Sequence, residues 1–229
     1  MRRIVLLTVA GLLGIAGPAA AQATSTASPN AAGKPSKLHF EIDGLASPID
    51  GRLPSALRLT APRFKVNLEA LSKRCSAEAA KLNECPRGSL MGTGSLLIEV
   101  TAPDGVRDVD VAVKVYLHSR TRIFAVAYVF GWRVVPATLN TRRRFVVDFD
   151  PLPEAPPFEG VSYTLKRIWF TFNAKRVIRQ RTRSGVKRRR VHLINNPATC
   201  SGRWPSLVSL RFPDGSENPF AAPTRCSRS

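Results

Sequence analysis

The chain has 229 residues, with 35 Lys and Arg against 16 Asp and Glu, a formal net charge of +19. Hydrophobic residues make up 44%, enough for a packed core, which excludes a wholly disordered chain. With 18 prolines, 15 glycines and only 7% aromatic residues, the composition favours many short strands and turns over long helices.

The N-terminus has the three-part layout of a secretory signal peptide. Met1-Arg2-Arg3 is basic, residues 4–15 form an apolar run too short to span a bilayer, and Ala21-Gln22-Ala23 supplies an A-x-A cleavage site. Removal of residues 1–23 is therefore expected, placing the mature protein outside the cytoplasm. That leaves 206 residues and 33 − 16 = +17 charges. No later segment is long and apolar enough to be a transmembrane segment of the mature chain. Residues 24–37 are small, polar and proline-bearing, and are expected to form a disordered lead-in to a single domain over 38–229.

Within that domain, Cys75 and Cys85 bracket a short helical segment that Ser76 is placed to cap. Residues 94–100 and 108–118 flank the turn signal Asp104-Gly105 and predict a hairpin, with Val109, Val111, Val113, Val115 and Leu117 on one face. Residues 123–130 are apolar at both parities, as in a strand covered on both sides. Phe145, Val147 and Phe149 alternate, as do Ile168, Phe170 and Phe172, and then Val208, Leu210 and Phe212 before Asp214-Gly215. The proline-rich run 151–157 predicts a loop. About nine strands and one short helix predict an all-β fold, a β-sandwich or open barrel with one disulfide-clipped helix.

Four cysteines allow three pairings, and export makes disulfides the expected state. The local pairs, Cys75 with Cys85 and Cys200 with Cys226, are favoured. No C-x-x-C spacing or paired histidines point to a metal, and no motif calls for a cofactor.

The charge is concentrated. Residues 160–213 contain thirteen Lys and Arg and no acid, while the rest of the mature chain carries twenty bases against sixteen acids. Nine bases fall within residues 175–190. A hairpin turning at Ser184-Gly185 opposes Arg181 to Arg188 and Arg179 to Arg190, so that Arg179, Arg181, Arg183, Arg188 and Arg190 share one face. Like charges opposed across strands are destabilising unless an anion sits between them. The expected partner is a polyanion, such as a wall polymer, an acidic polysaccharide or an anionic lipid surface; a merely solvated arm is the alternative. Sequence-specific nucleic-acid recognition is not expected, because no helix-turn-helix or zinc-finger pattern is present.

Catalytic signals are weak. His39, His118 and His192 belong to no motif, and no nucleophile elbow, phosphate-cradling loop or metalloprotease helix occurs. Asp108 with Asp110, and Asp148 with Asp150, each place two carboxylates on one strand face. They support the alternative of an exported hydrolase acting on envelope polysaccharide. The first reading is a non-catalytic interaction domain, with no catalytic residues assigned.

Two stretches carry a resemblance. The first runs through Val66-Asn-Leu-Glu-Ala-Leu71, Cys75-Ser-Ala-Glu-Ala79, Cys85-Pro86 and Gly92-Thr-Gly94. The second comprises Asn196-Pro-Ala-Thr-Cys200, Ser201-Gly202, Trp204-Pro205 and Phe212-Pro-Asp-Gly215, with Cys226 near the end. Together they resemble a group of uncharacterised secreted proteins from high-GC, actinobacterial-type genomes, over residues 38–226. The resemblance implies export and pairing of neighbouring cysteines; it implies no activity, ligand or catalytic residue.

Overall fold

The structure, a computed structural model, describes residues 22–45, 53–128, 131–142, 144–152, 159–182 and 185–228. The expected signal segment lies outside these residues except for Gln22 and Ala23, as do Arg183 of the basic run and residues 153–157 of the proline loop. The strands are β1 (Gln22–Ser28), β2 (Pro35–Asp43), β3 (Ala56–Pro62), β4 (Lys65–Val66), β5 (Leu90–Ala102), β6 (Gly105–Leu117), β7 (Arg122–Tyr128), β8 (Trp132–Asn140) and β9 (Arg144–Phe149). They continue with β10 (Ser162–Phe172), β11 (Lys175–Thr182), β12 (Gly185–His192), β13 (Ile194–Asn195), β14 (Arg203–Trp204), β15 (Leu207–Arg211), β16 (Glu217–Ala221) and β17 (Thr224–Arg225). One short helix, α1 (Ala77–Lys81), completes the set with two 3₁₀ turns. The fold is all-β, as the alternation predicts.

Thirteen strands form one antiparallel sheet in the order β16-β15-β3-β9-β8-β7-β6-β5-β10-β2-β13-β4, with β1 on β2. The last strand of that order, β4, follows β3 in sequence after only Arg63 and Phe64. The chain thus ties one end of the order to a strand near its other end, and the sheet has to curl into an open barrel. Arg63 makes the bend in the left-handed region, with φ 70°. Phe64 is buried edge-on against Trp204, with ring centroids 5.4 Å apart. On the other side, β1 lies against β16 and β17. There the Ser25 hydroxyl donates to the Ala222 carbonyl at 2.6 Å and also meets Thr224 Oγ1.

The inward face of the curled sheet carries one continuous apolar cluster. Phe145 packs on Phe172 at 4.8 Å and Phe149 on Phe170 at 5.4 Å, so the alternating phenylalanines of β9 and β10 meet across the interior. The β5–β6 hairpin closes with Ala102 opposite Gly105, and Val111, Val113, Val115 and Leu117 are buried. Residues 123–127 of β7 are buried on both faces. Their outer face is covered by the Cys75–Cys85 loop, where Cys75 and Ala80 pack with Tyr116, Phe124 and Val126. Ser76 caps α1, its hydroxyl accepting from the Ala79 amide at 3.1 Å, although the helix is little more than one turn. Both expected disulfides, Cys75–Cys85 and Cys200–Cys226, are formed.

β10 is the strand on which the inside of the barrel depends most. A bulge between Leu165 and Arg167 switches its parity, so that Tyr163 and Leu165 face inward before the bulge, and Ile168, Phe170 and Phe172 after it. Trp169 consequently lies on the outer face, its ring 5.9 Å from His39. β5 approaches β10 closely at two glycines: a Cβ on Gly92 would sit 2.2 Å from the Thr171 carbonyl oxygen, and one on Gly94 2.3 Å from that of Trp169.

The segment 24–37 departs from its expected disorder. β1 forms a seven-rung ladder on β2, from Gln22 opposite Asp43 to Ser28 opposite Lys37, so the folded unit begins before residue 38. The segment reads as a linker because its small residues bury little apolar area. Backbone hydrogen bonds and the Ser25 hydroxyl hold it instead, and these leave no hydrophobic period. Cleavage after Ala23 would remove two of those seven rungs and leave five.

Two substitutions test this architecture. Gly94→Ala forces a methyl group against backbone of β10 and is expected to cost about 1–3 kcal/mol, seen as a lower urea midpoint at unchanged m; a midpoint equal to the parent's would refute the close-approach argument. Cys200→Ser with Cys226→Ser opens a loop of 26 residues in sequence separation and is expected to cost about 3 kcal/mol through the unfolded chain.

Candidate anion-binding face

β11 and β12 leave the barrel where β10 ends and pair only with each other. The ladder runs from Lys175 opposite His192 to Thr182 opposite Gly185. Arg179 therefore opposes Arg188, Arg181 opposes Val186, and Val177 opposes Arg190. This register differs by two residues from the expected one, in which Arg181 faced Arg188 and Arg179 faced Arg190. Its origin is at the base rather than the tip: the Leu193 amide donates to the Ala174 carbonyl at 2.8 Å, and the Asn67 amide to the Leu193 carbonyl at 2.8 Å. These bonds set the pairing before the turn is reached. A two-residue shift preserves parity, so Arg179, Arg181, Arg188 and Arg190 still share a face.

The two faces of the hairpin have different surroundings. One face packs toward the barrel: Val191 is buried, Ile178 joins the core cluster, and Arg189 lies 3.4 Å from Glu69 in the 3₁₀ turn Leu68–Ala70. The opposite face carries Lys175 and the four arginines, with Val177 and Val186 left 54% and 66% exposed between them. Among the described residues, no carboxylate lies within ion-pair distance of Lys175, Arg179, Arg181, Arg188 or Arg190. His192, at the base of this face, is held below the usual histidine range, first by burial and then by the positive charges of Arg190 and Lys175.

The acids of the barrel wall are largely engaged elsewhere. Lys166, at the bulge, reaches Glu99 at 2.6 Å and Asp108 at 2.9 Å, and these hydrogen bonds raise its pKa. Arg167 pairs with Asp43 at 2.6 Å, and Ser95 donates to Asp110. In the second carboxylate pair of the hydrolase alternative each acid has its own arginine: Asp148 binds Arg58 at 2.6 Å, and Asp150 binds Arg211. Asp148 lies in an open polar trough on the outer sheet face with Thr60, Thr138, Asn140 and Arg144. The histidines stay apart. His39 Nδ1 meets Thr171 Oγ1 at 2.8 Å, and His118 Nδ1 meets the Cys75 carbonyl at 2.8 Å. Among the described residues, no three His, Cys, Asp or Glu side chains gather as a metal site, and no helix is long and apolar enough to cross a membrane.

Two features were not foreseen from sequence. Tyr128 and Trp132, opposed across the β7–β8 hairpin, form an edge-to-face pair at 5.2 Å that is 61% and 44% exposed. Inside the barrel, beside the same hairpin, lies an apolar cavity of about 160 Å³. The inward small residues Ala125 and Ala127 are its only sequence signal, and they read equally well as tight packing.

Comparisons with family models, curated proteins and solved structures give no match.

His192 reports the potential of the basic face. Its pKa, followed by NMR titration, is expected to rise toward the ordinary histidine value in Arg190→Ser, because one of the two cations that disfavour its protonated form is gone. A value that does not move would show that Arg190 contributes nothing to it.

Proposed function

We propose that this protein is an exported, non-catalytic binding domain that holds anionic polymers of the cell envelope or extracellular space on the outer face of the β11–β12 hairpin. One observation carries the reading: Arg179 and Arg188 are opposed on a rung, flanked on the same face by Arg181 and Arg190, with no carboxylate of the described chain beside them. Opposed like charges cost stability across a strand pair, and guanidinium groups bind phosphate, sulfate or carboxylate in bidentate fashion. A polymer supplies many such groups in a row, and a strand-borne row of arginines at fixed spacing is suited to follow it. The two disulfides fit an oxidising compartment, and the N-terminal layout supports export.

The test is retention on immobilised heparin and binding to inorganic polyphosphate over a salt series. The variant Arg179→Ser, Arg181→Ser, Arg188→Ser, Arg190→Ser is expected to elute at clearly lower salt. Its dependence of log Kd on log salt should become shallower by about 3 for four lost contacts. A control removing four exposed charges elsewhere (Lys73, Arg74, Arg120 and Arg142 to Ser) should stay close to the parent. Equal losses in both variants would overturn the reading and leave only a general effect of net charge. Binding to anionic vesicles but to neither polymer would reassign the partner to a lipid surface.

A further inference from the structure

We infer that the barrel interior is a second, independent binding site, for a small amphiphile with an apolar body of about six carbons and an anionic group. The cavity of about 160 Å³ lies between the walls formed by β3, β5, β6, β7, β8, β9 and β10, and is closed further by Leu53, Pro54 and Leu152. Its size is close to the roughly 150 Å³ apolar cavity that accepts a benzene molecule, so the apolar part of the ligand is matched to a phenyl ring or a short alkyl chain. Fourteen of its sixteen lining residues are apolar; the exceptions are Arg133 and Tyr163.

The space exists because of what the inward positions of β7 carry. Ala125 and Ala127 stand where Ile123, one alternation earlier on the same strand, fills the interior. Cross-strand from Ala127 is Arg133, an exposed side chain at the rim of an otherwise apolar wall. It makes no ion pair with any described residue. A guanidinium at the edge of an apolar recess is the arrangement that orients a carboxylate or sulfate head outward while its tail is buried. An apolar solute without charge would use only the recess, and a small anion without a tail only Arg133. The amphiphile uses both, which is what gives the site its specificity.

The experiment follows thermal unfolding of the full chain with acetate, hexanoate, octanoate and 1-octanol. Acetate is expected to leave Tm unchanged. Hexanoate and octanoate should raise it by about 3–6 °C for each tenfold excess over Kd, with 1-octanol weaker at equal concentration. Ala127→Leu fills the recess and is expected to remove the octanoate shift while holding or raising the ligand-free Tm. Ala125→Val serves the same purpose should the leucine fail to fold. Arg133→Gln should remove the preference for octanoate over octanol and keep a chain-length dependence. The hairpin variant with four arginines changed should keep the full octanoate shift, which separates this site from the polyanion face. An octanoate shift that survives the filled recess, or one equalled by acetate, would overturn the inference.

Discussion

The structure depends on a closure made by two residues. β3 and β4 are separated only by Arg63 and Phe64, yet β4 stands at the far end of the sheet order, paired to β13 and through it to β2. An open antiparallel sheet of this size would twist and present one apolar face to water. Joining its ends through so short a link forces that face inward around a single cluster, and the burial of Phe64 against Trp204 makes the link part of the core. The curl has to be accommodated somewhere, and β5 and β10 do so with Gly92, Gly94 and the bulge near Lys166, where backbones approach too closely for a side chain.

Closure at one place distributes the chemistry. β10 lines the cavity along most of its length, with Tyr163, Leu165, Ile168 and Phe170, and then leads into the basic hairpin, so both candidate sites depend on one strand. The barrel wall between them uses its acids locally, on Lys166, Arg167, Arg58 and Arg211. Unpaired bases remain elsewhere on the surface, but the hairpin is where they are densest, and among its described residues only Arg189, turned toward the barrel, has a carboxylate partner.

Strand identity was legible wherever one face is buried and the other solvated. Val111 to Leu117, Phe145 to Phe149 and Val208 to Phe212 alternate because a period of two is the only pattern that satisfies a half-buried strand. The doubly covered β7 was equally legible, since no polar residue could be tolerated on either face. β1 was not: Ser25 and Ala27 are buried by neighbours from the other end of the chain, and nothing in the segment itself announces a ladder. The bulge in β10 was hidden for a related reason, because the parity switch at Lys166 becomes visible only against the partner strand.

The sequence by itself determined the all-β class, a preference for the local cysteine pairs, the concentration of charge in residues 175–190 and the parity that puts four arginines on one face. These depend on alternation, proximity along the chain and counting, all of which are local. Only the tertiary structure decided the register of that hairpin, which hydrogen bonds from Leu193 and Asn67 impose at its base, and which acids were left free to neutralise it. It also decided that Ala125, Ala127 and Arg133 border one recess, because a cavity is a property of several strands at once and no single strand encodes it.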